Sequence, residues 1–183
     1  GTLGQWWLDW HREYWGWRSA GLAVQASIQF SEKLGQPAQL WKNAPGGAFG
    51  AAYRYGYAFA AHFGPTLGTG DVDVMEVGNE PDYPAALYSD ILLGMAQGAK
   101  AADARMQVLP GIVVGHDLAA EGYLNATHLQ YLDGLNTHVY AFRGGAGGRV
   151  ATYPESSVAA MRGDLISLLR FRDVYAPGIP VYV

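Results

Sequence analysis

At 183 residues, half of them hydrophobic and 15% charged, the chain is long enough for one domain with a substantial core. Its net charge of -4 and the lack of any Lys/Arg cluster argue against a nucleic-acid surface, and no apolar run approaches the ~20 residues of a membrane span. The absence of cysteine excludes disulfides and thiolate metal sites and leaves the compartment open.

The pattern predicts a helix over 6–19, with Trp6, Trp10, Tyr14 and Trp17 three or four apart and packed onto a sheet. Gly21 ends it. Residues 22–30 read as a buried strand, and a loop follows from Ser31 to about Gly47. The next helix, over about 49–63, stops at Gly64-Pro65. Residues 72–79 form an alternating, β-branched strand that runs into Asn79-Glu80-Pro81, where the proline halts it. Pro84 opens a long helix to about Ala104, with Leu87, Ile91, Leu92, Met95 and Ala99 on one side. A strand over 107–114 is interrupted by Pro110-Gly111, which calls for a bulge or bend if that strand is central. A short helix over 124–132 leads to another strand end at 135–140. A glycine-rich loop is expected from Phe142 to Pro154. The helix after it, 156–175, carries Val158, Met161, Leu165, Leu168 and Leu169 inward, and a last strand begins at Ile179.

A helix, four strand–helix units and a strand imply parallel strands with crossover helices, in either a barrel or an open doubly wound sheet. No linker divides the chain, so residues 1–183 read as a single domain. No Gly-x-Gly-x-x-Gly or Walker loop is present, and the five histidines lack the spacing of helical metal ligands, so no cofactor or metal is expected. No Gly-x-Ser-x-Gly elbow supports an α/β-hydrolase. Asp71 and Asp73, at the start of their strand, are expected to be solvated.

Asn79 and Glu80 fall at the C-terminal rim of their strand, where parallel barrels build active sites. A carboxyl beside an amide suits sugar chemistry: one protonates the departing oxygen, the other binds a ring hydroxyl. The alternatives are a solvent-facing Glu before a turn and a turn-forming Asn. Glu76, of the same parity as Glu80, should point inward one layer below Gly78 as support for the site, and a buried carboxylate there needs a hydrogen-bonding or cationic partner. His138 and Tyr140 share parity and face inward at a rim, equally readable as core or as site. His116 and Asp117 can line the cleft. Trp41 can stack on a sugar face or pack its own loop.

Glu76-Val77-Gly78-Asn79-Glu80-Pro81-Asp82 resembles the strand-four signature of the retaining glycoside hydrolases of the clan-A (β/α)8 superfamily, closest to its β-xylosidase and α-L-iduronidase-like families. His138-Val139-Tyr140 is similar to that clan's strand-six motif, and Ile179 to Val183 to strand seven as it approaches its Glu. The resemblance implies a TIM barrel of which roughly strands 3 to 7 are present, with Glu80 as acid/base and Asn79 at the sugar 2-hydroxyl. It puts the nucleophile just past Val183 and so leads one to expect a truncated or processed chain that is inactive alone. A complete barrel takes ~250 residues and rarely fewer than ~200. The expected function is hydrolysis of O-glycosidic bonds in an oligo- or polysaccharide. Its rivals are a non-catalytic carbohydrate-binding or assembly protein, and a lyase using Glu80 and Tyr140. Open barrel edges predict an association surface, for self-association or for a partner chain that completes the barrel.

Overall fold

Strands and helices alternate as the hydrophobic pattern predicts. The computed structural model describes residues 9–113, 122–138, 142–145, 148–151 and 154–183. In chain order the elements are α1 (Trp10–Ser19), β1 (Gln25–Ile28), α2 (Ala38–Lys42), α3 (Gly47–Phe63), β2 (Val74–Val77), α4 (Ala85–Ala102), β3 (Gln107–Pro110), α5 (Ala126–Leu129), β4 (Leu135–Asn136), β5 (Phe142–Gly145), β6 (Gly148–Ala151), α6 (Pro154–Tyr175) and β7 (Val181–Tyr182). No helix of the described residues is long and apolar enough to cross a membrane.

β1, β2 and β3 pair in parallel, with Ser27, Glu76 and Leu109 in register across them. β4 pairs in parallel with β7. Two backbone bonds continue the ladder from β3 to β4: Asp133 N–H to the Val108 carbonyl at 2.9 Å, and Val113 N–H to that of Asn136 at 2.8 Å. The result is an arc of parallel βα units, β1-β2-β3-β4-β7, and not a closed barrel. Among the described residues, β1 and β7 each have one unpaired edge.

That opening corrects the expectation of a fully buried first strand. Ala26, Ile28 and Phe30 are buried against the helices, while Gln25, Ser27 and Gln29 are exposed on the opposite, inward face. β2 sits between two neighbours and is buried at every position. The aromatic stripe of α1 is corrected too. Tyr14 is buried, whereas Trp10 and Trp17 stay about 45% exposed, because α1 lies at the open edge against Phe63 of α3 and not flat on a sheet. Trp6 lies outside the described residues. Asp71 is buried, not solvated: its Oδ2 takes hydrogen bonds of 2.6 Å from both the Thr69 hydroxyl and His11 Nδ1. Asp73 pairs with Arg18 at 2.6 Å, so both carboxylates tie α1 to the floor of the sheet.

α3 and α4 form the outer layer over Met75, Val77 and Val108. They approach through small residues: Gly56 lies against the Met95 backbone, Gly94 against the Phe49 carbonyl and Gly98 against the Tyr53 carbonyl. α4 begins directly after Pro84, as predicted, and ends at Ala102. The loop after the first strand holds a 3-10 turn over Glu32–Leu34 and the short helix α2. The Phe142 to Pro154 segment is not simply a loop. It contains the antiparallel pair β5–β6, with Arg143 opposite Val150. The Gly145–Gly148 pairing leaves two residues between strands, the connection length that hairpins favour, so the glycines punctuate strands there. On α6, Leu168 is buried together with Phe171, which the pattern did not mark, and Leu165 and Leu169 are half-buried. The side chains of Val158 and Met161 lie outside the described residues.

β3 stops at Pro110 and bends, which answers the question raised by Pro110-Gly111. Gly111 N–H donates to the Tyr88 hydroxyl at 2.7 Å, and that hydroxyl donates to the Val77 carbonyl at 2.6 Å. A Cβ at Gly111 would stand 2.9 Å from the Gly78 carbonyl oxygen, so glycine is what lets β3 leave beside the end of β2.

Two buried titratable groups make stability depend on pH in separate windows. Burial alone would raise the Asp103 carboxyl, but hydrogen bonds from the backbone N–H groups of Thr66, Leu67 and Arg105 outweigh it and hold its pKa below the ordinary 3.8. A folded-state pKa below the unfolded one stabilises the fold above pH 3.8 and loses that contribution as pH falls through the lower folded value. Burial pushes the His128 imidazole below its ordinary 6.5, opposed by its bond to the Ser89 carbonyl. Stability should therefore fall as pH drops below 6.5 toward the folded His128 value, and fall again below 3.8. Thermal melts across pH 8 to 3 check this. Asp103→Asn should lower the midpoint at neutral pH and flatten the acid limb, and an unchanged acid limb would refute the assignment.

Candidate active site at the rim of the central strand

The last ladder bond of β2 is Gly78 N–H to the Ile28 carbonyl at 3.0 Å. There the chain leaves the sheet through Gly78 at φ +88° and Glu80 at φ +47°, and Glu80 is the one non-glycine with positive φ among the described residues. At Gly78 an added Cβ would press on the Phe30 and Tyr88 rings at 3.4 Å. For a residue with a side chain the left-handed conformation costs about 1–2 kcal/mol, so it persists only where its surroundings enforce it.

Asp82 supplies much of that enforcement. Its carboxylate accepts from the Ser31 hydroxyl at 2.9 Å and from the backbone N–H groups of Glu32 and Lys33 at 3.1 and 3.3 Å. Burial pulls this carboxyl upward, yet the hydrogen bonds prevail and hold it below the ordinary range. One residue on, the Tyr83 hydroxyl donates to the Gln36 carbonyl at 2.7 Å. The loop after β1 is thus clamped onto the Asn79-Glu80-Pro81 turn. Asp82 stands inside the sequence motif, but its clamping role shows only once that loop is in place.

Strand ends far apart in the chain meet at Glu76. Its side chain is 8% exposed. Oε2 accepts from Gln25 Nε2 of β1 at 3.3 Å, and Oε1 accepts from Asn136 Nδ2 of β4 at 3.1 Å. His138 lies across both carboxylates. Its Nδ1 is 2.9 Å from Glu80 Oε1, and its Nε2 is 3.6 Å from Glu76 Oε1. The Glu80 side chain is 42% exposed. This arrangement can hold a transferable proton at a solvent-facing carboxyl above a buried, hydrogen-bonded carboxylate.

The structure thus joins Glu80, Glu76 and His138, all marked by sequence parity. The parity rule itself ends at Val77, because the left-handed turn, not strand alternation, aims Glu80. Asn79 is exposed on the same turn. Trp41 is half-buried on α2 and meets Phe30 edge-on at a ring separation of 5.4 Å. It also lines a cavity of about 410 Å³ with Gln36, Leu40 and Tyr55. His116, Asp117 and Tyr140 lie outside the described residues. Gln25 and Asn136 were missed. Their signals were the polar alternation Gln25, Ser27, Gln29 on β1 and the shared parity of Asn136 and His138.

No protein-family model matches the chain, and no curated protein matches it in sequence. Among solved structures it is similar to a monomeric beta-xylosidase from Caulobacter crescentus CB15, with a TM-score of 0.55 and 19% identity over 95% of this chain and 40% of that one. The likeness shows the fold: parallel βα units that resemble part of a glycosidase barrel. The chain spans about 40% of that enzyme's length.

Proposed function

We propose that the chain carries the acid/base half of a retaining glycosidase site that acts on O-glycosidic bonds of an oligo- or polysaccharide. The observation that carries this reading is Glu80. It stands at the C-terminal rim of the central parallel strand, in a left-handed turn, 2.9 Å from His138. In this scheme the Glu80 proton passes to the glycosidic oxygen as the bond to the anomeric carbon breaks and its electrons go to that oxygen. A second carboxylate about 5–5.5 Å away attacks the anomeric carbon and forms a glycosyl ester. Glu80, now ionised, takes a proton from the water that cleaves the ester. Asn79 offers its amide to the 2-hydroxyl. The resemblance assigns the attacking carboxylate to a position just after β7.

The likeness to a beta-xylosidase makes β-xylosides the first substrates to try. The whole gene product should hydrolyse an aryl β-xyloside or another aryl β-glycoside, with retained anomeric configuration by proton NMR and a product mass that includes one water. An unsaturated product without added water would transfer the site to a lyase. Saturable sugar binding without turnover would make it a carbohydrate-binding protein.

A further inference from the structure

We infer that Tyr88 is a positioning residue for Glu80: its hydroxyl stands in the last rung between β2 and β3 and fixes the peptide group from which the Glu80 turn starts. The inference rests on the acid/base reading above. Among the bonds that join the two strands, Gln107 N–H donates to the Asp73 carbonyl at 3.0 Å. Rungs of this direction recur at every second residue of a parallel ladder, because alternate peptide groups face opposite edges. Four residues on, the register of β2 and β3 would therefore join Gly111 N–H to the Val77 carbonyl. The Tyr88 hydroxyl is inserted there instead. It takes a hydrogen bond from Gly111 N–H at 2.7 Å and gives one to the Val77 carbonyl at 2.6 Å. The directions are fixed by chemistry, since a carbonyl only accepts and a backbone N–H only donates.

The Val77 carbonyl belongs to the same peptide group as Gly78 N–H, which donates to the Ile28 carbonyl of β1 at 3.0 Å. That peptide plane is held on both edges, by β1 through its N–H and by α4 through its carbonyl. It immediately precedes Gly78 at φ +88°, and Glu80 follows two residues later at φ +47°. Beyond Glu80 the Asp82 carboxylate is bound by Ser31, Glu32 and Lys33. Glu80 thus lies between two fixed points, and rotation of the first swings its carboxyl group. Tyr88 has no room to follow such a rotation. It is 1% exposed, with its ring edge-on to Tyr123 at 4.9 Å and beside Phe30 at 6.4 Å. Without the hydroxyl, Gly111 N–H and the Val77 carbonyl either stay buried and unpaired or close on each other as an ordinary rung. Both outcomes disturb the peptide plane. A general acid must reach the glycosidic oxygen at hydrogen-bond distance, and a displacement of about 1 Å costs about 10²-fold in rate.

Tyr88→Phe removes the hydroxyl and keeps the ring. In the chain as it stands it should move the backbone NMR signals of Asn79 and Glu80, and unchanged signals in a folded variant overturn the inference. The wild-type chain offers a second test. Gly111 lies past the last residue of β3, yet its amide should resist deuterium exchange like that of Leu109 inside the ladder. Free exchange at Gly111 overturns the inference, and this result decides the matter if Tyr88→Phe does not fold. In the whole gene product, Tyr88→Phe should lower kcat about 10²-fold on glycosides with poor leaving groups. KM and the first step on a dinitrophenyl glycoside, whose leaving group departs without a proton, should be nearly unchanged. Gly98→Ala, which strains the α3–α4 contact and not the rim, should leave the ratio of the two rates as it is. Equal losses on both substrates with Tyr88→Phe would make its role merely structural and overturn the inference. Absence of glycosidase activity in the unaltered gene product would overturn the acid/base reading and the catalytic part of this inference, while the two spectroscopic tests judge the positioning itself.

Discussion

Glu80→Gln in the whole gene product is expected to lower kcat/KM on glycosides with poor leaving groups by about 10²–10⁴-fold, the usual worth of a positioned general acid. Glutamine fits the same space and can still meet His138 Nδ1, so the turn should survive and the thermal midpoint should move little. What disappears is the proton. Substrates whose leaving group departs as a stable anion need no protonation, so the first step on a dinitrophenyl glycoside should be nearly unimpaired. Removal of the base should then slow hydrolysis of the glycosyl ester, and a burst of phenolate is expected before steady state. A small added nucleophile such as azide, which needs no base, should speed that second step and give a glycosyl azide. Normal turnover of an unactivated substrate by Glu80→Gln would end the acid/base assignment.

Gly98→Ala should be among the most destabilising single-methyl changes available in this fold. Alanine normally improves a helix interior by about 0.5–1 kcal/mol over glycine. Here the added Cβ would lie 2.0 Å from the Tyr53 carbonyl oxygen and 2.9 Å from the Tyr57 nitrogen, both rigid backbone of α3. No rotamer relieves that contact, so α4 must move off α3 and the packing of Leu92, Met95 and Ala99 moves with it. Overpacking of this kind costs roughly 1–3 kcal/mol and more where backbone meets backbone, against the 5–15 kcal/mol that typically holds a domain together. A drop of about 3 kcal/mol in the urea-unfolding free energy is expected. Gly163→Ala on α6 is the control, since nothing lies within 4 Å of its Cβ and the helix should gain about 0.5–1 kcal/mol. Equal effects at the two positions would contradict the close helix–helix contact.

Short-range pattern was enough to reveal the order of elements, the stop at Gly64-Pro65, the start after Pro84 and the position of Glu80 at a strand rim. Each of these depends on residues adjacent in the chain: a proline that cannot continue a helix or strand, or an alternation of β-branched side chains. The same local view found Glu76 and His138 through parity. It misjudged features that depend on which surfaces meet. Gln25, Ser27 and Gln29 are exposed because the arc of strands leaves their face open. Asp71 is buried because α1 folds back over the floor of β2. The glycine-rich segment after Phe142 contains a hairpin because two short stretches pair across it. The site divides the same way. Gln25, Asn136 and His138 reach the two carboxylates across 51, 60 and 58 residues of sequence. Such contacts arise only when parallel strands align in register, because backbone ladders, and not neighbouring side chains, decide which rim residues face each other.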